Sequence, residues 1–334
     1  MGIMGMLRKY GVLLGLAILL TACQSSSPSF LISTSPIASH EAKLYREVLI
    51  EAALIFVLIT GALIWILIRY RSRGEKALPP QIYGKVSWVL IPVFLIVALD
   101  GMDFVWMFQT MEAVAVPQHA VSDLNVRVVG HRWWWEFDYM DQKIATANEL
   151  HIPVGTTVQI ALESVDVIHS FWVPQISGKT DVIPGQHNTM WLQGNEIGEF
   201  LGQCAEFCGT EHALMRFKVI VQSQEDFNAW IANQQKPAYL PQTPDEEAGY
   251  KEVTGACAAC HSLDPSEIDT KKVGPNLSHL FSRSTFAGGS FDLNEENLKN
   301  WLKDTQAMKP GNDMEINILP KTRDQIASYL MHLK

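Results

Sequence analysis

Two long apolar stretches dominate the first third of the chain and limit what it can become. Residues 48–68 carry no charge except Glu51, and residues 86–108 form a second run broken late by Asp100 and Asp103. A helix of about 20 residues crosses a hydrocarbon core of about 30 Å, so each run is long enough to span a bilayer. The two aspartates are costly in lipid and are expected to face protein or the interface. Between the runs lie Arg69, Arg71, Arg73, Lys76 and Lys85 against one acid, Glu75. That bias places the loop in the cytoplasm and both ends of the chain outside. The expectation is a two-helix transmembrane hairpin, with helices over 45–69 and 86–110, a cytoplasmic loop over 70–85, and exported domains beyond.

The first residues agree with export. Arg8 and Lys9 precede an apolar run over 11–20 and then "LTAC". This is the pattern of a bacterial lipoprotein signal over 1–22, cut before Cys23, whose thiol would carry membrane lipid. Residues 23–44, beginning "CQSSSPSF", read as a tether. The site is then the bacterial cytoplasmic (inner) membrane, with the soluble part on its periplasmic or extracellular side. The net charge of -9 argues against a nucleic-acid partner and permits a basic protein partner.

From about residue 120 the pattern changes to short strands. "LNVRVVGHRWWWEF", "TTVQIALES", "HNTMWLQG" and "MRFKVIVQ" are rich in β-branched and aromatic residues and are separated by Gly, Pro and Asn. Such runs read as an all-β sandwich or barrel over 120–233. "SQEDFNAWIANQQ" closes it as a helix, with Ser223 and Asp226 as a capping-type start. Residues 234–244, "QQKPAYLPQTP", are proline-rich and predict an extended linker. Residues 245–334 are helical in pattern, with Ile326, Tyr329 and Leu330 on one face.

The cysteines carry the chemistry. There are five, and one fits the lipid site. Two sit in "GQCAEFCGTEHALM", where Cys204, Cys208, His212 and Met215 fall within twelve positions. Thiolate, imidazole and thioether are a donor set that suits copper, whereas structural zinc rarely takes methionine. Two cysteines can bridge two copper ions, but a second histidine is then required. His169, in "DVIHSFWVP", is the candidate.

Together the membrane anchor, "VIHSFWVP", "GKTDVIPG" and "QCAEFCGTEHALM" resemble subunit II of the haem–copper cytochrome c oxidases, over about residues 45–232. The resemblance implies an all-β cupredoxin barrel with a dinuclear copper A centre. It carries His169, Cys204, Cys208, His212 and Met215 over as ligands, with Glu206 as a ligand through its backbone carbonyl. It also implies that the Glu206 carboxylate reaches a magnesium ion shared with subunit I. In "GHRWWWEF", Trp133 stands where the family has a tryptophan that receives electrons near the copper. Trp134 and Trp135 read as core packing.

"CAACH", Cys257 to His261, is the c-type haem attachment motif: Cys257 and Cys260 form the thioethers and His261 is the proximal ligand. Met308, Met314 and Met331 are available as distal ligand. "MKPGNDM" resembles the distal segment of class I cytochromes c, which points to Met314, with Met308 as the alternative and Met331 in a helix core. "VGPNL", residues 273–277, resembles the loop that packs on the haem edge. The whole chain therefore resembles an oxidase subunit II fused to its own all-α cytochrome c domain, the caa3-type arrangement. One departure stands out. At the start of the second helix Trp88 and Pro92 fit the family, but Lys85 occupies the position where the family commonly has a glutamate near a proton path.

The implied function is to take electrons from an external cytochrome c onto haem c, pass them to copper A, and deliver them to subunit I. There oxygen is reduced to water with proton pumping, with subunit III as a further partner. A copper metallochaperone would not explain Met215, the haem motif or two spans. A quinol oxidase subunit II generally lacks the copper ligands. A nitrous-oxide-type reductase does not suit a two-span anchor.

Overall fold

The computed structural model describes residues 28–71, 87–115, 124–268 and 272–334. The signal segment, the lipidation candidate Cys23 and Lys85 lie outside the described residues.

Two helices, Pro36–Arg69 and Ser87–Val114, are long and apolar enough to cross a membrane. The first starts inside the stretch expected to be a tether. The cause is distant in sequence. Ser35 caps the helix, its Oγ accepting from the Ala38 amide at 3.0 Å, and the same hydroxyl donates to the Ile176 carbonyl. Thr34 N donates to Gln175 O at 2.9 Å, and Asn195 N donates to Thr34 O at 3.0 Å. Ile37, Ala38 and Ala42 are buried in the first turns. The helix is thus stapled to the β-domain before it reaches its apolar run. The second helix is tied at its far end, where Trp191 Nε1 donates to the carbonyls of Val114 and Ala115, each at 3.1 Å. Of the two aspartates, Asp103 is half-buried and faces Glu51 of the first helix, whereas Asp100 is exposed.

The β-domain is a sandwich of two five-stranded sheets. Its strands are β1 (Leu124–His131), β2 (Trp134–Tyr139), β3 (Ile144–Ala147), β4 (Glu149–Pro153), β5 (Val158–Ser164), β6 (His169–Trp172), β7 (Thr180–Val182), β8 (Asn188–Leu192), β9 (Gly198–Cys204) and β10 (Arg216–Gln222). One sheet has the order β3-β2-β1-β5-β8 and the other β4-β10-β9-β6-β7. The β1–β5 and β4–β10 pairs are parallel, and the remaining pairs are antiparallel. Alternate residues of β10 point inward, as half-buried strands require. Between the sheets, Trp135, Phe137, Phe171 and Phe217 form an aromatic cluster, with Phe171 and Phe217 stacked at 4.5 Å. The helix Gln224–Gln234 closes the domain, capped by Ser223.

Every residue of β2 and β3 is buried, so these strands lack alternation. Their outer face is covered by the C-terminal domain. That domain is built from helices Pro244–Gly255, Glu295–Lys303, Thr305–Met308 and Pro320–Leu330 around Val253, Leu298, Leu302, Ile326, Tyr329 and Leu330. Its first helix has a complete capping box between Thr243 and Glu246. A two-stranded ribbon, Thr285–Phe286 with Phe291–Asp292, interrupts the helices.

The two domains are joined by more than the linker. Glu149 Oε1, on a residue only 1 % exposed, accepts from the amides of Ser284 (2.8 Å) and Thr285 (3.0 Å) and from both hydroxyls. Arg127 donates to Ile268 O at 2.8 Å, and Ala145 N donates to Pro265 O at 2.9 Å. The linker is extended, but it is not a free spacer. Tyr239 stacks on His332 and its carbonyl accepts from Tyr329 Oη at 3.1 Å, while Lys236 O accepts from His279 Nε2 at 3.0 Å.

Candidate metal centre and haem cleft

Three segments meet at one end of the sandwich. His169 opens β6, Cys204 ends β9, and the loop that follows carries Cys208, His212 and Met215 before β10. β6 and β9 are paired with Phe171 opposite Cys204, which sets the histidine beside the sulfur. Cys204 Sγ lies 3.7 Å from Cys208 Sγ and 3.9 Å from His169 Nδ1. Cys208 Sγ lies 3.6 Å from His212 Nδ1 and 3.8 Å from Met215 Sδ. The Glu206 carbonyl oxygen is 3.2 Å from Cys204 Sγ. All six sequence candidates are therefore gathered in one place.

The donor set fits a soft metal. The cysteines are free and buried, at a separation far beyond a disulfide bond of about 2 Å. The Cys208 thiol, 3.7 Å away, donates toward Cys204 and pushes its thiol down to about 3 against the opposing effect of burial, while the same contact together with burial pushes Cys208 up. Cys204 is thus the readier thiolate of the pair. Between them the two sulfurs face imidazole, thioether and carbonyl donors, which is a copper-type rather than a zinc-type set.

Asp166 is a residue that spacing did not reveal. Its Oδ1 accepts from His169 Nε2 at 2.8 Å and from the Val167 amide at 2.6 Å, while Oδ2 accepts from the Arg132 amide at 2.7 Å. The Nε2–H donates, so Nδ1 is left as the lone-pair nitrogen facing Cys204. Burial would raise the Asp166 carboxyl, but these donors hold it below its ordinary range. Asp166 also ties the Trp133 turn to the candidate ligand. Trp133 itself is 8 % exposed, and its Nε1 donates to Cys208 O at 3.0 Å.

The second site is a cleft of about 200 Å³ lined by Cys257, Cys260, His261 and Met314 with Leu277, Leu298, Trp301 and Ile326. Met314 lines it and Met308 does not. Met331 packs against the helical core, as expected. His261 Nδ1 lies 2.7 Å from the Pro275 carbonyl, which can only accept, so Nδ1 carries the proton and Nε2 the lone pair. Burial keeps this imidazole below its ordinary range and therefore neutral. Gly274 passes so close that a Cβ there would lie 2.5 Å from His261 Cε1. The arrangement fits a haem. Apolar walls would take the ring, and Arg283, buried in the same cleft with Nε unpartnered, suits the ring's carboxylates. Nothing in the sequence pattern singled out Arg283.

Trp134 is buried, as its reading as packing expects, and its packing is against the cytochrome domain. It lines the cleft, stacks on His131 at 4.1 Å and donates from Nε1 to Val273 O at 3.2 Å. Trp135 is the fully buried core residue.

Comparison with known proteins gives the same two parts. Residues 142–223 match the family described as cytochrome c oxidase subunit II, periplasmic domain, and residues 246–334 match cytochrome c. Cytochrome c oxidase subunit 2 of Alkalihalophilus pseudofirmus is 32% identical over 294 residues, covering 86% of this chain and 85% of the relative. The Bacillus subtilis protein of the same name is 33% identical, covering 81% and 82%. The crystal structure of the periplasmic domain of subunit II of cytochrome oxidase of Bradyrhizobium japonicum is 30% identical. It covers 35% of this chain and 95% of that one, with a TM-score of 0.34. A two-helix anchor, a soft-donor cluster, a haem-type cleft and relatives matched over most of their length lead to one conclusion: the chain belongs to the cytochrome c oxidase subunit 2 family, with a cytochrome c domain at its C-terminal end.

Proposed function

We propose that this chain is the electron-accepting subunit of a respiratory terminal oxidase. It holds haem c through Cys257, Cys260, His261 and Met314, and a dinuclear copper A through His169, Cys204, Glu206 O, Cys208, His212 and Met215. When bound, these groups supply one-electron carriers of differing potential. The observation that supports the reading best is the placement of Trp133, which lines the haem-type cleft and hydrogen-bonds the backbone of Cys208.

The protein's own part is to orient and to exclude water. His169 and Cys204 are held by Asp166 and by the β6–β9 pair, and Met215 is fully buried. A rigid set of this kind imposes one geometry on both oxidation states, so little rearrangement accompanies transfer. The external donor in this reading is a cytochrome c. The acceptor is subunit I, where oxygen is reduced to water with proton pumping, with subunit III as a further partner. Glu206 and Phe207 are exposed between the two cysteines, Phe207 at 75 %. Such a surface suits a partner subunit, and the Glu206 carboxylate is the candidate ligand for a shared magnesium ion. The basic loop between the two spans supports a topology with both domains outside a bacterial inner membrane, and Cys23 is the candidate lipid anchor. A quinol oxidase reading is disfavoured by the complete soft-donor set.

The test is the metal content of the purified oxidase. The chain should bring two coppers and one covalently attached haem. Replacing Cys204 by Ser should remove copper and leave haem. Full copper retention in that variant would defeat the reading.

A further inference from the structure

Lys309 lies between the two sites, at the wall of the haem-type cleft, and is a candidate ligand of neither. Its side chain is one of the few buried ammonium groups among the described residues, at 3 % exposure. Nζ donates to three backbone carbonyls: Trp133 O at 2.8 Å, Leu214 O at 3.1 Å and Ala287 O at 3.2 Å. The first belongs to the β1–β2 turn, the second to the loop that carries His212 and Met215, and the third to the cytochrome ribbon. Two groups of the copper loop supply negative charge toward it, Glu211, itself 3 % exposed, and the smaller influence of Cys208.

Two further hydrogen bonds brace the same junction. Arg216 N donates to Gly288 O at 2.7 Å, and Ser290 Oγ donates to Leu214 O at 2.7 Å. Gly288 has φ +73, and a Cβ there would lie 2.6 Å from Lys309 Nζ and 2.8 Å from Leu214 O, so the backbone approach requires glycine. On the other side, Asn312 Nδ2 donates to Lys309 O at 2.6 Å, and its Oδ1 accepts from Met314 N at 2.9 Å. Lys309 is thus fastened to the Met314 segment through its backbone and to the copper loop through its ammonium.

We propose that Lys309 is a positioning residue that fixes the Met314 loop against Trp133 and the copper loop, and so sets the alignment of haem cleft and copper site. A buried ammonium held by carbonyls is a poor source of net stability, because desolvation offsets much of the attraction. What three diverging N–H donors supply is geometry. They bind three chain segments at once, which the planar fork of an arginine cannot reproduce. A consequence follows for Trp133. Its carbonyl is taken by Lys309 and its indole is buried, so the tryptophan serves the chain's own cytochrome domain.

The inference rests on the electron-relay reading, and the test separates the two. In the purified oxidase, K309M and K309R are first examined for the methionine–iron absorption band and the copper signal. If wild type lacks either feature, the relay reading fails, not the role of Lys309. With both features retained, haem-to-copper transfer in K309M should slow roughly tenfold to a hundredfold, as a misplaced reacting pair does, with K309R in between. A K309M rate within about twofold of wild type overturns the proposal. A second measurement needs no variant. Reductive methylation of the native oxidase should label Lys309 at least about tenfold less than exposed Lys303, because labelling requires the junction to open. Equal labelling of the two lysines overturns the proposal as well.

Discussion

The indole of Trp133 donates to the carbonyl of Cys208 at 3.0 Å while the same side chain lines the cleft that holds His261 and Met314. One residue therefore touches both candidate redox sites. Trp133→Phe removes the donor and leaves a buried carbonyl unpaired, a loss of about 1–3 kcal/mol. The variant should melt earlier and transfer electrons from haem to copper more slowly, while its copper spectrum persists. Stopped-flow reduction monitored at both centres checks this. An unchanged rate would remove Trp133 from the path.

Asp166 orients His169 without being a ligand candidate itself. Asp166→Ala leaves the imidazole free to turn and to change tautomer. Loss of such a supporting carboxylate typically costs about 10–100-fold in metal affinity. Copper should leave the variant at lower chelator concentration than wild type, and Asp166→Asn, which can still accept from Nε2, should fall between them. Identical chelator curves would contradict the role.

For the distal ligand the structure separates the two methionines, since Met314 lines the cleft and Met308 does not. Met314→Ala should abolish the methionine–iron band and lower the haem potential, because methionine ligation raises it. Met308→Ala should leave both unchanged. The reverse pattern would move the ligand to Met308.

Asp138 gives a pH dependence. Burial, then the neighbouring Glu136 carboxylate, push it from 3.8 to about 7 against the opposing pull of Arg127, which donates from Nη2 at 2.6 Å. A carboxyl raised in the fold favours the protonated native state. Its contribution is present in full below about pH 4 and is lost as pH rises through about 7. Wild type should therefore lose melting temperature across that window more steeply than Asp138→Asn, by calorimetry on the purified chain. Parallel profiles would contradict the assignment.

The sequence made contiguous chemistry legible. Cys204, Cys208, His212 and Met215 fall within one loop, and Cys257, Cys260 and His261 within one turn, so spacing alone brings each set together. His169 was called for by the donor count, as the second histidine that two bridging cysteines need, and β6–β9 pairing explains why 35 residues of separation do not matter. Long-range contacts were not legible. The first membrane helix begins at Pro36 because Ser35 reaches Ile176, a partner 141 residues away. Trp134 read as packing and is buried, but its partner Val273 belongs to a domain more than a hundred residues on. Lys309 looks like any surface lysine until three carbonyls from separate segments close around it.

The most direct test of the account is the electron paramagnetic resonance spectrum of the purified oxidase in its oxidised form. One unpaired electron shared equally by two copper nuclei couples to both and splits into a seven-line pattern, which should vanish in Cys208→Ser. A four-line pattern, the signature of an electron confined to one copper, would contradict the dinuclear centre at Cys204 and Cys208.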